Sequence, residues 1–569
     1  MGFRLASAAF IAVFAAYLFL GGMGVTDRGN PEAGEAPYNL LARGLLSGHL
    51  YVAREAPAAL AALRDPYDPQ ANGVFRDDPR YRLHDFSYYR GRLYLYFGAA
   101  PALLVFLPWH LLTGGWLHHW AAVVLLCSAG VLVNLSLVGA VRRREFPRAP
   151  PWTAAACVLV LGFGSYAPLL AARADMWEIP IAMGYLSMSV ALRCLWEALE
   201  NPERPARWIA LASAAVGVAF ASRPTMLPGA AILLVPFLNA EVRASARAWA
   251  GAALPLALCG AAVAAYNALR FGSPFEFGQH YQMSAGREGE LHHFSASYLP
   301  ENLRLYLFQG VGWSPLFPYA HEPAVGPLHA RLPVNHGDVE HISGVLVHAP
   351  ILWAALAVPA LARARGLGRS LALVAVAAAW TSLSSLLFLG FYFGVCSRYQ
   401  VEFAPALALL ASVGVVAAEG SLAGRARLAA RCAWVAALAF TCAFTTLYGI
   451  DRCATDHNLF GIECLMHGNP SAAEREFGTA RGLAPGNPFS RLGESLILES
   501  QNREAEARSA LESLVRDEPG YAMAHFALGN ALAGEGRPAE ALEQYRAAHR
   551  IDPEDAAIDR ALAAAAGRR

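Results

Sequence analysis

Long apolar runs dominate the first 450 positions, and short polar connections separate them. They fall at 3–25, 93–113, 116–140, 152–172, 177–199, 208–222, 225–240, 248–270, 342–362, 370–393, 400–419 and 432–450. A run of about 20 apolar residues crosses a bilayer as a helix, so the pattern predicts a polytopic helix bundle. Beyond 454 the pattern changes: charge rises and the long apolar runs stop.

The polar connections orient the bundle. "VRRREFPR" (141–148), "NPERPAR" (201–207), "EVRASAR" (241–247), "RARGLGR" (363–369) and "GRARLAAR" (424–431) are rich in arginine and occur at every second connection. The short connections between them carry one arginine each: Arg173, Arg223 and Arg398. Positive charge in short loops stays cytoplasmic. This alternation closes only if 93–113, which holds Pro101 and Pro108, does not cross. That segment is expected to be a re-entrant or juxtamembrane helix broken by its prolines. About eleven spans remain in a transmembrane region 1–450. Two large loops, 26–115 and 271–341, then face outward, as does all that follows Ile450. The first run lacks a cleavage site and is expected to stay as the first helix.

The tail repeats with a period of 34: Pro485, Pro519 and Pro553 share one register. Its units are 454–487, 488–521 and 522–555, followed by a capping helix at 556–569. In the third unit, Leu528, Gly529, Ala541, Tyr545, Ala548 and Pro553 closely resemble the tetratricopeptide consensus. Glu494 and Ser495 make the middle unit degenerate. The fold class expected is therefore all-α: a membrane helix bundle followed by an α-solenoid of tetratricopeptide repeats. Such repeats suit a protein partner.

Composition agrees. Of 569 residues 56% are hydrophobic and 16% charged, which excludes a soluble globular chain. The net charge of +1 gives no reason for a nucleic-acid partner. All 45 basic residues are arginine, which reads as compositional bias. The nine cysteines show no zinc spacing, and Cys453 and Cys464 are expected to be buried thiols.

Ionisable groups gather where apolar runs end on the outward side. Asp27, Glu32 and Glu35 follow the first run, and Asp85 is the second residue of "HDFSYYRGR". "ARADMWEIP" holds Arg173, Asp175 and Glu178, "ASRPTM" holds Arg223, and "GVCSRYQVEFAP" holds Arg398, Tyr399 and Glu402. Arg270 and Glu276 end another run. Any one of these could simply pair or solvate a helix end. Together they suit a single chemistry, in which guanidiniums hold the phosphate of a lipid carrier while a carboxylate takes a proton from an acceptor hydroxyl. Loop histidines are more often solvated or structural, so no metal is assigned. A divalent ion, if used, would draw on His336, Asp338 and His341 of "HGDVEH".

Several segments resemble the GT-C superfamily of polyprenyl-phosphate-sugar-dependent glycosyltransferases, family 39-like. They are "GEAPYNLLARGLLSGHLYV" after the first run, "YLYFGAAPALLVFLP", "ARADMW" and "SRYQVEFAPALALL". A Lys or His usual in that family is replaced by Gly98 and Ala99. The resemblance covers residues 1–450. It implies a multi-pass enzyme of the bacterial inner (plasma) membrane that takes a sugar from a polyprenyl phosphate to an extracytoplasmic lipid, glycan or protein. Inversion by a carboxylate base would use Asp27 or Glu35, with Asp175 in support. Arg398, Arg223, Arg173 and Tyr399 would meet the donor phosphate, and Glu276, Asp85 and Glu32 would lie nearer the acceptor. Two alternatives remain: an O-antigen-ligase or oligosaccharyltransferase-like enzyme, and a non-enzymatic scaffold or transporter that recruits partners through its repeats.

Overall fold

The computed structural model describes residues 2–25, 32–78, 80–201, 203–322, 332–337, 339–553 and 555–566. Among these, eight helices are long and apolar enough to cross a membrane: Gly2–Met23, His119–Glu145, Glu178–Glu200, Pro205–Ser222, Ala246–Phe271, Arg369–Phe391, Ala404–Ser421 and Gly424–Met466. Among the described residues, strands are confined to three two-stranded ladders.

Three of the eleven expected spans are not single long helices, and each break has a local cause. The 152–172 run stops at Phe163, turns through Tyr166 in the left-handed region at φ 63°, and restarts as Ala167–Ala172. The 225–240 run winds as a 3₁₀ helix over Pro224–Leu238, with Pro228 and Pro236 inside it. Each proline removes an N–H and crowds the preceding turn. The 342–362 run is cut by Pro350 into Val345–His348 and the helices that follow.

The 93–113 run begins as a strand, Arg92–Leu95, paired antiparallel with Phe86–Tyr89. Its helical part, Ala102–Thr113, starts with a π turn at Ala102–Phe106. At 1.5 Å per residue it is about 18 Å long, well short of the ~30 Å hydrocarbon core. Phe106 is buried against Tyr38 and His119, while Leu103, Leu104, Leu111 and Leu112 are exposed. That is the profile of a helix lying along the membrane surface, one apolar side on protein and the other outward.

No break separates the bundle from the repeats. A boundary near 450–454 falls inside one 43-residue helix, Gly424–Met466. Its sequence contains no proline, and its last part is the first helix of the first repeat. The hairpin partner is Pro470–Leu483, followed by Pro488–Ser500 with Glu504–Asp517 and by Ala522–Gly534 with Pro538–Ile551. Ala556–Ala566 closes the stack. Small residues set the close approach. A Cβ on Gly529 would lie 2.6 Å from the Tyr545 ring, and one on Gly493 would overlap the Phe477 ring. All nine cysteines are free thiols, Cys453 and Cys464 included.

Candidate functional site

One end of the bundle carries the folded loops and the repeats, and its charged groups converge there. Three segments each deliver an arginine. Arg173 follows the short helix Ala167–Ala172, Arg398 opens the turn after strand Val395–Cys396, and Arg452 projects from the continuous helix. Strand Val339–Glu340 pairs in parallel with Val395–Cys396, with Glu340 opposite Cys396. This register sets the Glu340 carboxylate among the arginines. Arg398 Nη1 donates to Glu340 Oε2 at 2.5 Å, and Arg173 and Arg452 both pair with Oε1. Arg452 also reaches Asp456, one turn on, at 3.4 Å. Burial, with the like charges of Arg452 and Arg398 adding to it, pushes the Arg173 guanidinium down to about 10.

A further arginine stands beside this cluster. Pro224 disfavours the helical region for the residue before it. Arg223 accordingly leaves helix Pro205–Ser222 in an extended conformation. It pairs with buried Glu402, which also accepts from Thr225 Oγ1 at 3.0 Å. The Tyr399 ring lies 4.8 Å from the Arg223 guanidinium and 5.1 Å from that of Arg398. Arg398, Arg223 and Tyr399 are thus neighbours. Arg223 is committed to Glu402, whereas Arg398 points at Glu340.

Trp177 links the arginines to the carboxylates. Its ring lies 5.1 Å from the Arg173 guanidinium and 6.0 Å from that of Arg398, and its Nε1 donates to Asp85 Oδ2 at 2.6 Å. Asp85 has a left-handed φ of 63°, which aspartate tolerates. Gln282 Nε2 donates to its other oxygen at 2.6 Å. Trp177 also lines a small cavity of about 50 Å³ together with Glu35, Asp175, His84, Arg54 and Arg82. Asp175 is buried, accepts from the Met176 N–H at 2.7 Å and lies 3.8 Å from His119 Nδ1. Glu35 is half-exposed and pairs with Arg43 at 2.7 Å. Behind them Glu178 is buried, its Oε2 accepting from the Asp175 N–H at 3.1 Å.

Beyond the arginines the site opens into a much larger space. A cavity of about 760 Å³ lies between the loops and the repeats, and Glu340, Arg452, Trp313, Tyr521, Phe526 and Asn530 line parts of it. Its repeat-side wall is the row of first helices of the hairpins.

Of the residues singled out in the sequence, Glu35, Asp85, Asp175, Arg173, Arg223, Arg398 and Tyr399 come together. Glu32 sits at the start of the turn that carries Glu35. Glu276 instead accepts from the Gly278 N–H at 2.6 Å and pairs with His280 at 2.6 Å. Asp27 and Asp338 lie outside the described residues. His336 is turned to Asn302 Oδ1 at 2.8 Å, and His341 is buried against Tyr448 and Glu322. Among the described residues, no group of three or more His, Cys, Asp or Glu is arranged to hold a metal.

Sequence reasoning missed Glu340, Arg452 and Trp177. Glu340 belongs to "HGDVEH", where the two histidines are the stronger local signal. Arg452 stands two residues past the last apolar run, in "YGIDRCATD", and is the same run-end signal as the other arginines. Trp177 stands inside "ARADMW" with nothing local to mark it.

Residues 522–555 match the tetratricopeptide repeat family model. No curated protein matches the chain. Among solved structures, the chain is similar to ArnT from Cupriavidus metallidurans bound to undecaprenyl phosphate, at 16% identity. That match covers 89% of this chain and 79% of the other, with a TM-score of 0.41. The APC/C hetero-tetramer Cut9–Hcn1 is similar at 12% identity, over 82% of this chain and 92% of that one, with a TM-score of 0.22. Yeast Tom70 is similar at 10% identity, over 75% and 77%, with a TM-score of 0.18.

Proposed function

We propose that this chain is a membrane glycosyltransferase of the GT-C kind its sequence resembles, using a polyprenyl-phosphate-linked sugar as donor. The observation that carries the reading is the placement of Trp177. On one side it meets two of three clustered arginines, and on the other it walls a cavity that holds Glu35 and Asp175. A donor phosphate belongs with the guanidiniums, and an acceptor hydroxyl belongs with the carboxylates.

The chemistry is an inverting displacement. The acceptor oxygen attacks the anomeric carbon, and Glu35 takes the hydroxyl proton as general base, with Asp175 supporting it. The bond from the anomeric carbon to the phosphate oxygen breaks, and its electron pair leaves with the polyprenyl phosphate. Arg173 and Arg398 stabilise the charge that develops there. Arg223, with Tyr399, holds the flank. Asp85 fixes Trp177 through its indole N–H. The alternating arginine-rich connections support an extracytoplasmic position for this end and for the repeats.

The test is transfer from a labelled polyprenyl-phosphate sugar in membranes containing the chain. The expected result is chain-dependent release of polyprenyl phosphate, lost when Arg173 and Arg398 are both replaced by alanine. Absence of release with pentosyl, hexosyl and aminopentosyl donors alike overturns the reading. A reporter active only outside the cytoplasm, fused after Asp555, is expected to be active. An inactive reporter there, with an active one at Gly368, reverses the orientation.

A further inference from the structure

Glu340 occupies the point on which three guanidiniums from distant segments converge. We propose that Glu340 is a resident counter-ion which the donor phosphate displaces, and that Arg452 is the third phosphate ligand. The proposal rests on the transferase reading and deepens it.

Charge and shape support the exchange. A carboxylate carries one negative charge on two terminal oxygens. So does the phosphodiester of a sugar linked to a polyprenyl phosphate. Replacing one by the other leaves the charge of the cluster unchanged and offers the same pair of acceptors to the same donors. When the sugar leaves, the phosphate becomes a monoester with a second negative charge and a third terminal oxygen. Each arginine then has an oxygen of its own, whereas on Glu340 Arg173 and Arg452 must share Oε1. Arg452 thus acts more strongly on the product side of the reaction than on the bound donor, as stabilisation of the transition state requires.

Accessibility singles out which carboxylate moves. Glu178 is buried and Asp456 is 11% exposed, whereas the Glu340 side chain is 29% exposed and lines the 760 Å³ cavity. It can swing into that space with its charge still solvated. The arginine cannot swing out with it: Arg452 is 4% exposed and keeps Asp456 at 3.4 Å when Glu340 leaves. The backbone there is held in a ladder of only two residues, Val339–Glu340 with Val395–Cys396.

The sign of the Glu340 effect is what a purely structural ion pair cannot reproduce. The full chain in nanodiscs is titrated with polyprenyl phosphate, and separately with inorganic phosphate. Glu340→Gln keeps the shape but removes the competing charge, and it is expected to tighten polyprenyl phosphate binding by about tenfold, the scale of one charge-assisted contact. Arg452→Ala is expected to weaken it by about the same factor. Glu340→Asp, with a shorter reach, should tighten binding by less, and it keeps the proposal falsifiable if Glu340→Gln loses its fold. Tightening for both probes identifies bare phosphate as sufficient, and tightening for the lipid probe alone identifies a headgroup with its tail engaged. Either supports the exchange. Equal or weaker binding by both Glu340 variants overturns it, even where Arg398→Ala weakens binding and the transferase reading stands. If Arg398→Ala and Arg173→Ala also leave affinity unchanged, the transferase reading falls with it.

Discussion

Arginines in the repeats and arginines at the loop-bearing end of the bundle live in different electrostatic worlds. In the repeats, Arg503 meets Glu506, Arg508 meets Glu512 and Arg537 meets Glu540, each at 2.7 Å and within about one helical turn. These pairs are largely exposed, and exposed pairs of this kind contribute little to stability. At the other site, Arg173, Arg398 and Arg452 arrive from separate segments, are mostly buried, and share Glu340. Desolvating three guanidiniums around one carboxylate is costly, and a buried ion cluster of this kind is weak support for stability. Such an arrangement is what the proposed phosphate site requires.

Four experiments probe that contrast, beginning with the strongest. Glu35→Gln and Asp175→Asn remove a proton acceptor or its support but keep shape, and transfer should fall by ~10²–10⁴-fold for the base. Near-normal rates for both, with a loss in Asp27→Asn, would move the base to Asp27. Next, Arg398→Ala should weaken polyprenyl phosphate binding by roughly ten- to a hundredfold, the scale of a charge-assisted contact. Arg398→Lys should recover only part, because it keeps charge and loses the planar fork. Full recovery by lysine would make charge alone the requirement. Trp177→Phe keeps the ring facing Arg173 and loses only the hydrogen bond to Asp85. Transfer should drop by about two- to tenfold, the scale of one hydrogen bond, with donor affinity unchanged; an affinity loss would put Asp85 on the donor side. Last, Arg537→Ala should leave both the thermal midpoint and the transfer rate where they were. A clear drop in rate would mean that the repeat surface takes part in the reaction.

The contrast also marks how far the sequence could be read. Helix spans, the short juxtamembrane helix and the 34-residue repeat all rest on periodic or neighbouring residues, and all were legible. The placement of Arg173, Arg223 and Arg398 at the ends of apolar runs was legible too, because each is the one arginine of its short connection. Glu340 was not. Its partners Arg398, Arg452 and Arg173 lie 58, 112 and 167 residues away, and a two-residue parallel ladder that no local pattern announces sets it among them. Trp177 hid for a related reason: a tryptophan near a helix start usually packs, and its ties to Asp85 and to two arginines exist only once the loops have folded. The three interrupted spans were legible as apolar runs but not as broken helices, because Tyr166, Pro228, Pro236 and Pro350 act on local backbone direction and leave length and hydropathy unchanged.

The unbroken helix from Gly424 to Met466 makes the molecule a measuring instrument. At 1.5 Å per residue it extends about 65 Å, with membrane at one end and the first repeat at the other. A flexible tether would let captured cargo sample a wide volume and arrive at the reaction centre by chance. A rod does not: anything gripped by the repeats is presented at a fixed height and angle, set by the number of residues in one helix. Adding or removing a single residue between Ile450 and Phe460 would rotate that presentation by about 100°. For any partner the repeats hold, the distance to the loop-bearing end is therefore written in one uninterrupted stretch of backbone hydrogen bonds.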